Sequence, residues 1–189
     1  FTAILVAADG GANAIVEKGQ VPVAVIGDLD SVSDAAREAI PDDRLHHVSD
    51  QNTTDLEKCL ALIDAPLILG VGFLGGRLDH LLAACSAIAA PKAPPCLLLG
   101  AKDIVLAARG TLRLDLTAGT RVSLFPMAPS QGRATGLRWP IDELAFALGQ
   151  RTGVSNEATG PVTLTFDNPG MLVILPRSAL AVAVQALQG

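Results

Sequence analysis

The first half of the chain alternates between short apolar runs and longer segments whose apolar residues recur every three or four positions. The runs are rich in valine, isoleucine and leucine and have no polar face, which is typical of parallel strands buried on both sides. They cover residues 3–8, 21–26, 67–72 and 96–99. The periodic segments end at or shortly before glycine or proline and predict helices over residues 12–18, 34–40, 54–63 and 78–90. This alternation predicts an α/β fold with a doubly wound, mainly parallel sheet and flanking helices.

The pattern changes after about residue 100, where shorter strands follow one another between glycine or proline turns. These predicted strands cover residues 104–107, 111–116, 120–125, 161–166 and 171–175. Strands without intervening helices favour an antiparallel β-sandwich. We therefore expect two domains, an α/β domain over residues 1–100 and a sandwich over residues 101–189.

Composition excludes several classes of protein. The chain has a net charge of −5 and scattered basic residues, so a sequence-independent nucleic-acid binder is excluded. No apolar run approaches the roughly 18 residues of a membrane span. The three cysteines lie in apolar segments without the spacing of metal ligands, which favours buried thiols in a reducing compartment. We expect a cytoplasmic protein that binds neither nucleic acid nor membranes.

The main chemical signal is a set of four aspartates at or just past the ends of apolar runs: Asp9, Asp28, Asp30 and Asp55. In an open α/β sheet the carboxyl ends of the strands form the ligand-binding crevice, so we expect these acids to converge. Clustered carboxylates repel one another unless a cation neutralises them. Mg²⁺ binds such oxygen ligands together with phosphates, so the sequence predicts metal-assisted phosphate chemistry. The alternative for Asp28 and Asp30 is a solvated turn after a strand.

A second motif, at residues 70–75, fits the G-x-G-x-x-G pattern of dinucleotide-binding loops. It supports a rival hypothesis, an oxidoreductase that uses a nicotinamide or flavin cofactor. However, residues 91–100 contain no acid that could bind the ribose at the usual distance. The alternative is that these glycines let backbone amides approach a phosphate, with the guanidinium of Arg77 nearby.

Two further segments have more than one interpretation. Thr54 and Glu57 form a capping box, which predicts a helix whose first turn carries Asp55. Gln51 and Thr54 beside it suit either turn chemistry or contacts with a nucleotide. Trp139 is the sole tryptophan and suits either a core position or a platform for a cationic ring.

Six segments together, in this order, resemble thiamine pyrophosphokinases. They are ADGGAN (residues 8–13), GDLDS (27–31), DQNTTD (50–55), GGRLDH (75–80), GLRW (136–139) and VSNE (154–157). The resemblance implies transfer of the ATP diphosphate to the hydroxyl of thiamine, with release of AMP. It also implies a homodimer whose active sites are shared between subunits. A thiamine or nucleotide sensor without turnover is the alternative from another class.

The resemblance also implies roles for individual residues. Asp9, Asp28, Asp30 and Asp55 would bind Mg²⁺, and Asp28, Asp30, Asp55 and Arg77 would form the catalytic set. ATP would contact Asn13, Gln51, Thr54, Arg77 and Asp79, and thiamine would contact Trp139, Ser155 and Asn156. Family members have a strand, a glycine-containing loop and a helix before the segment at residues 8–13. Either that unit is absent, or residues 1–6 are its first strand and the loop and helix are missing; we expect the second.

Overall fold

The first of two compact units extends to Asp64. The computed structural model describes residues 3–188. Strands and helices alternate in this unit: β1 (Val6–Ala8), α1 (Gly11–Glu17), β2 (Ala24–Gly27), α2 (Asp34–Ala39), β3 (Leu45–His47) and α3 (Asp55–Leu62). The three strands are parallel, in the order β1-β2-β3. Because they are parallel, their carboxyl ends meet at one edge, where Asp9 follows β1 and Asp28 follows β2.

The core of this unit consists of small and branched apolar side chains from the sheet and from α1 and α2. Its buried members are Ala7, Ala12, Val25, Leu29, Val32, Ala36 and Ile40. Leu29 and Val32 belong to the segment between β2 and α2, so the loop that carries Asp28 and Asp30 is anchored in the core. Burial of these two side chains fixes that loop against the unit.

The second unit begins at Ala65 and contains the remaining elements. They are β4 (Ile68–Val71), α4 (Leu78–Ala89), β5 (Cys96–Leu99), β6 (Asp103–Ala107), β7 (Thr111–Leu114), β8 (Arg121–Pro126), β9 (Ser130–Leu137), β10 (Ala145–Phe146), β11 (Gly153–Phe166), β12 (Met171–Pro176) and α5 (Leu180–Gln188). Among the described strands the order is β10-β9-β11-β8-β12-β6-β5-β4, and β7 pairs with β11. Strands β4 and β5 are parallel, whereas β5 and β6 are antiparallel.

Strand β11 connects two parts of this sheet system. Its first residues pair with β8, with Asn156 opposite Val122, and its later residues pair with β7 and β9, with Leu164 opposite Leu112 and Ala134. The core between these strands includes Leu106, Leu124, Phe146, Leu164 and Met171. The long strand therefore holds the antiparallel strands around one apolar interior.

The structure confirms the predicted fold class, a mixed α/β protein with a parallel sheet and a larger, mostly antiparallel sheet. All four predicted helices are present, and Thr54 and Glu57 form the expected capping box. Strands β3, β9 and β10 and helix α5 were not predicted. The predicted domain boundary near residue 100 stays a prediction, and the compact units divide after Asp64.

The expected first strand over residues 1–6 differs from what the structure shows. Residues 1 and 2 lie outside the described residues, and β1 begins at Val6. This strand leads through Asp9 and Gly10 directly into α1, so it is the strand that delivers Asp9.

The three cysteines, Cys59, Cys85 and Cys96, are free thiols and all are buried. Burial raises the pKa of the Cys96 thiol to about 12. The pKa of Cys59 rises to about 11, chiefly through burial and further through the charge of Asp55. Among residues 3–188, no helix is both long enough and apolar enough to cross a membrane.

Candidate functional site

Three of the four predicted aspartates lie together at the carboxyl edge of the parallel sheet. Asp9, Asp28 and Asp30 each offer a carboxylate oxygen, and these oxygens lie within 4.8 Å of one another. Asp9 is buried, Asp28 is half-buried and Asp30 is exposed, so the group extends from the interior of the unit to its surface. A cation bound here would therefore be reachable from solvent.

Asp9 owes its position to a close approach between two strands. A Cβ atom on Gly27 would lie 2.7 Å from the Cβ of Asp9, so only glycine leaves room for this side chain. The backbone of Asp9 has a φ of +40°, which is uncommon outside glycine, asparagine and aspartate. Its amide still donates to the carbonyl oxygen of Ile26 at 2.9 Å. The strained turn therefore directs the carboxylate towards Asp28 and Asp30.

The carboxylate of Asp9 has an unsatisfied oxygen. Asp9 is 4% exposed, and its Oδ1 has no hydrogen-bond partner among the described residues. An unpaired buried oxygen costs about 1–3 kcal/mol, and a bound ion is one of the few arrangements that removes this cost. Mg²⁺ prefers oxygen ligands from one or two carboxylates together with phosphate and water. The carboxylate oxygens of the three grouped acids therefore fit this cation.

Hydrogen bonds to the Asp28 carboxylate favour its ionised form. The amide of Asp30 donates to Asp28 Oδ1 at 3.3 Å, and Gln51 Nε2 donates to Asp28 Oδ2 at 3.4 Å. These hydrogen bonds, the first of them above all, lower the pKa of Asp28 below its ordinary value. Asp30 accepts a hydrogen bond from the hydroxyl of Ser31 at 2.8 Å. Gln51 thus contacts the predicted cation site through Asp28.

Asp55 lies in the first turn of α3, as predicted, but it is not one of the three grouped acids. Its Oδ1 accepts a hydrogen bond from Lys58 Nζ at 3.0 Å, and the Lys58 side chain is 4% exposed. Although burial opposes its charge, the hydrogen bond and the negative charges of Asp55, Asp28 and Asp50 raise the pKa of Lys58. The sequence interpretation did not include Lys58. Its spacing of three residues from Asp55 on a predicted helix was the available signal.

Asn13 and Thr54 already have partners in this unit. Asn13 Nδ2 donates to the Ser31 carbonyl oxygen at 2.9 Å, and Asn13 Oδ1 accepts from the Ser33 amide at 2.9 Å. The hydroxyl of Thr54 caps α3 by accepting from the Glu57 amide at 3.3 Å. Both residues therefore shape the loops that carry the acids. The structure leaves their predicted contacts with ATP as predictions.

Arg77 and Asp79 belong to the second unit, at the start of α4. Arg77 Nη2 lies 2.6 Å from Asp79 Oδ2, and Arg77 Nε donates to Asp79 Oδ1 at 3.2 Å. This two-point hydrogen bond from Arg77 lowers the pKa of Asp79 to about 2. Both side chains are exposed. The pair fixes the direction of the guanidinium, which is the property that a phosphate-binding arginine needs.

The three residues assigned to thiamine come together in the second unit. The Asn156 side chain is buried and brackets the backbone of Trp139: its Nδ2 donates to the Trp139 carbonyl oxygen at 2.7 Å, and its Oδ1 accepts from the Trp139 amide at 3.2 Å. Ser155 has a φ of +61°, and its amide donates to the hydroxyl of Ser123 at 3.0 Å. Asn156 therefore positions the tryptophan.

These residues line a depression with a volume of about 310 Å³. Its apolar wall includes Ile141 and Phe146, and Trp139 stands beside it with 51% of its surface exposed. The exposure shows that Trp139 is not a core residue. The guanidinium of Arg138 lies 5.0 Å from the centroid of the indole ring, so one face of the ring already contacts a cation.

The glycine motif at residues 70–75 lacks a structural requirement of a dinucleotide loop. In that loop the third glycine is needed because helix and strand pack closely. Here a Cβ atom on Gly75 would meet nothing within 4 Å, whereas Gly72 is required for its φ of +92°. The oxidoreductase hypothesis is therefore not favoured.

Comparison with known proteins agrees with this geometry. Residues 2–98 match the family "Thiamin pyrophosphokinase, catalytic domain", and residues 111–171 match "Thiamin pyrophosphokinase, vitamin B1 binding domain". The depression beside Trp139 lies within the second match.

Individual relatives were found by sequence and by structure. The chain is 28% identical to thiamine pyrophosphokinase 3 of Oryza sativa subsp. japonica, over 87% of this chain and 76% of the relative. It is similar to the crystal structure of thiamin pyrophosphokinase from Geobacillus thermodenitrificans, with 26% identity, a TM-score of 0.73, and coverage of 90% of this chain and 84% of that one. For the Candida albicans enzyme, at 15% identity, a TM-score of 0.76 over 92% of this chain and 82% of that one shows the shared fold. The chain belongs to the thiamine pyrophosphokinase family, and its activity is that of the family, the transfer of a diphosphate group to thiamine.

Proposed function

We propose that the chain transfers diphosphate from ATP to thiamine with the help of Mg²⁺ held by Asp9, Asp28 and Asp30. The observation that carries this proposal is the group of three carboxylates around a buried Asp9 oxygen that has no other partner. Bound there, Mg²⁺ would neutralise charge on the phosphate oxygens of ATP. Asp55 keeps its proposed role as a further ligand. It lies in the first turn of α3, where Lys58 donates a hydrogen bond to its carboxylate.

In the proposed reaction the hydroxyl oxygen of thiamine attacks the β-phosphorus of ATP. A bond forms between that oxygen and the β-phosphorus, the bond between the β-phosphorus and the oxygen of the α-phosphate breaks, and AMP leaves. The hydroxyl proton is released to the solvent as the new bond forms. Phosphoryl transfer depends mainly on positioning and charge stabilisation, so it requires no nucleophilic side chain. The acids would fix the nucleotide through its cation. Arg77 uses Nε and Nη2 on Asp79, so its Nη1 would donate to the phosphates.

The proposed thiamine site is the depression beside Trp139. Thiamine carries a cationic ring, which the face of an indole attracts. Asn156 fixes the backbone of Trp139, and Ser155 presents its side chain to solvent at the same wall. Because Arg138 covers one face of the indole, we place the thiamine ring on the other face.

Two wider features complete the proposal. We propose that the protein is a homodimer with shared active sites, as the family resemblance implies. We also propose a cytoplasmic location, which the three buried free thiols support because such thiols persist in a reducing compartment.

Phosphorus NMR of the protein with ATP, Mg²⁺ and thiamine tests the reaction. We expect AMP and thiamine diphosphate in equal amounts, and no product when Mg²⁺ is omitted. ADP would instead indicate transfer of a single phosphate, and binding without turnover would indicate a sensor.

The variants Asp28→Asn and Asp30→Asn test the site in the same assay. We expect each to lower the rate by at least about a hundredfold while thermal unfolding stays near that of the wild type, because both acids are proposed cation ligands. Asp64→Asn is the matched control, since Asp64 is an exposed acid outside the group of three. Near-normal activity in both site variants would remove Asp28 and Asp30 from the site.

A further inference from the structure

The loop that carries two of the three grouped acids has an unfavourable backbone shape. This acidic loop, residues 28–33, connects β2 to α2. Leu29 within it has a φ of +64°, in the left-handed region that side chains with a Cβ avoid. The same residue is 8% exposed. A strained conformation of this kind persists only where surrounding contacts determine it.

Helix α1 supplies the first of these contacts through Asn13. Its Nδ2 donates to the Ser31 carbonyl oxygen and its Oδ1 accepts from the Ser33 amide, each at 2.9 Å. The two hydrogen bonds engage both polar atoms of the carboxamide. The start of α1 also lies against the loop, because a Cβ atom on Gly10 would come within 3.0 Å of the Ser31 Cβ.

Helix α2 supplies the second contact through Arg37. Its Nε donates to the Val32 carbonyl oxygen at 3.3 Å, and its Nη2 donates to the Leu29 carbonyl oxygen. The planar guanidinium can bridge two carbonyl oxygens in a fixed geometry, which an ammonium group cannot do. One of these oxygens belongs to the residue with the left-handed backbone. Asn13 and Arg37 therefore hold four residues of the loop, 29, 31, 32 and 33, from two directions.

We propose that Asn13 and Arg37 are positioning residues that hold the acidic loop in the shape that brings Asp28 and Asp30 to Asp9. This inference rests on the proposed Mg²⁺ site. It gives Asn13 a role different from the ATP contact that the resemblance implies, because both of its polar atoms are already engaged with the loop. Neither residue is one of the three grouped acids.

Two measurements without nucleotide test this proposal on Asn13→Ala and Arg37→Lys. The first is hydrogen–deuterium exchange of the loop amides in metal-free protein. The second is Mn²⁺ affinity by electron paramagnetic resonance, with Mn²⁺ as the probe. Glu38→Ala is the matched control, since Glu38 is an exposed neighbour of Arg37 on α2.

We expect faster exchange in both variants, above all at the Ser33 amide in Asn13→Ala, and Mn²⁺ affinity weakened about 10- to 100-fold. The control should match the wild type in both measurements. Arg37→Lys keeps the positive charge but cannot bridge the two carbonyl oxygens. An effect of this variant therefore comes from loss of the bridge and not from loss of charge.

Wild-type exchange and wild-type Mn²⁺ affinity in Asn13→Ala, with only a raised KM for ATP, would overturn the proposal and support a nucleotide contact. Loss of thermal stability without a change in Mn²⁺ affinity would show a merely structural role and would also overturn it. If the wild-type protein binds no Mn²⁺, the proposed cation site fails instead. The exchange data then decide separately whether Asn13 and Arg37 hold the loop.

Discussion

Asp9 is the residue on which the proposed cation site depends most. It combines a buried side chain, a positive φ and a carboxylate oxygen without a partner, and each of these features costs free energy. Gly27 makes the arrangement possible by leaving the space that the Asp9 side chain occupies. Costs concentrated in one residue are typical of a position kept for function.

The variant Asp9→Asn distinguishes the contribution of Asp9 to activity from its effect on the stability of the fold. We expect it to abolish most activity but to leave metal-free stability equal or higher, because it removes a buried negative charge beside two other carboxylates. In the wild type, Mg²⁺ at a hundred times its Kd should stabilise the fold by about 2.7 kcal/mol, and in the variant this gain should largely disappear. Thermal unfolding with and without Mg²⁺ measures both effects. An equal Mg²⁺-dependent shift in Tm for the two proteins would contradict a metal role for Asp9.

Trp139 allows a second prediction for a single residue. Since a cation over an indole face contributes about 0.5–2 kcal/mol, Trp139→Ala should raise the KM for thiamine by roughly twofold to thirtyfold. The KM for ATP should change little. Trp139→Phe should retain part of the affinity, and Leu148→Ala, an exposed apolar residue outside the depression, is the control. Equal loss of affinity for both substrates would contradict the stacking role.

The sequence predicted that Asp9, Asp28 and Asp30 would meet, but it placed Asp55 with them, and it did not predict how they are held. Asp9, Asp28 and Asp30 could be placed together because parallel strands end at one edge of a sheet. The helical spacing of Asp55 and Lys58 allowed their pairing to be predicted, whereas the contacts of Asn13 with Ser31 and Ser33 could not be predicted. They depend on side-chain directions and on a left-handed loop residue, Leu29, which no residue-type signal marks.

Among the elements, the start of α4 has a side-chain pair, Arg77 and Asp79, whose contribution to stability should depend on pH. The hydrogen bonds from Arg77 hold the pKa of Asp79 at about 2, below the ordinary value of 3.8. Because the folded pKa is the lower one, the pair contributes stability at pH values above about 4 and loses it as the pH falls towards 2. We expect Arg77→Met to raise the pKa of Asp79 towards its ordinary value.

An NMR titration of the Asp79 carboxyl carbon measures this change, and Arg113→Met on β7 is the control. An unchanged Asp79 titration in Arg77→Met would show that another group sets the pKa. The pair is exposed, so salt should weaken the effect.

Helices with clear ends were predictable, and elements defined by their neighbours were not. Glycine or proline ends three of the four predicted helices, and a capping box begins α3. Strand β9, in contrast, has the sequence SQGRATGL, which contains few strand-favouring residues. Its pairing with β11 determines its conformation. Helix α5 lacks polar residues in its first turn and was visible only as an apolar run.

For the whole molecule, the proposed shared active sites predict complementation between a variant that has lost most of its rate and a variant that binds thiamine weakly. Asp28→Asn and Trp139→Ala lie in different units of the chain. If each site takes its acids from one subunit and its tryptophan from the other, a mixed dimer contains one intact site. With thiamine well below the wild-type KM, random mixing should then add about a quarter of wild-type activity to the residual activity of the Trp139→Ala dimers, because half of the dimers are mixed and half of their sites are intact.

Unfolding and refolding the two variants together, followed by the AMP assay, checks this expectation. Separately refolded samples combined just before the assay are the control. Activity no higher than that of the separate variants would contradict sites shared between subunits, and light scattering that shows a monomer would contradict the dimer itself.

The burial of all three native thiols makes the protein easy to label. Cys59 and Cys96 have pKa values raised to about 11 and 12, so at neutral pH they carry almost no thiolate and should react slowly with maleimides. A new cysteine at an exposed position such as Glu38 would then be the one fast-reacting site among the described residues. A fluorophore attached there could report movement of α2 while every native cysteine stays in place.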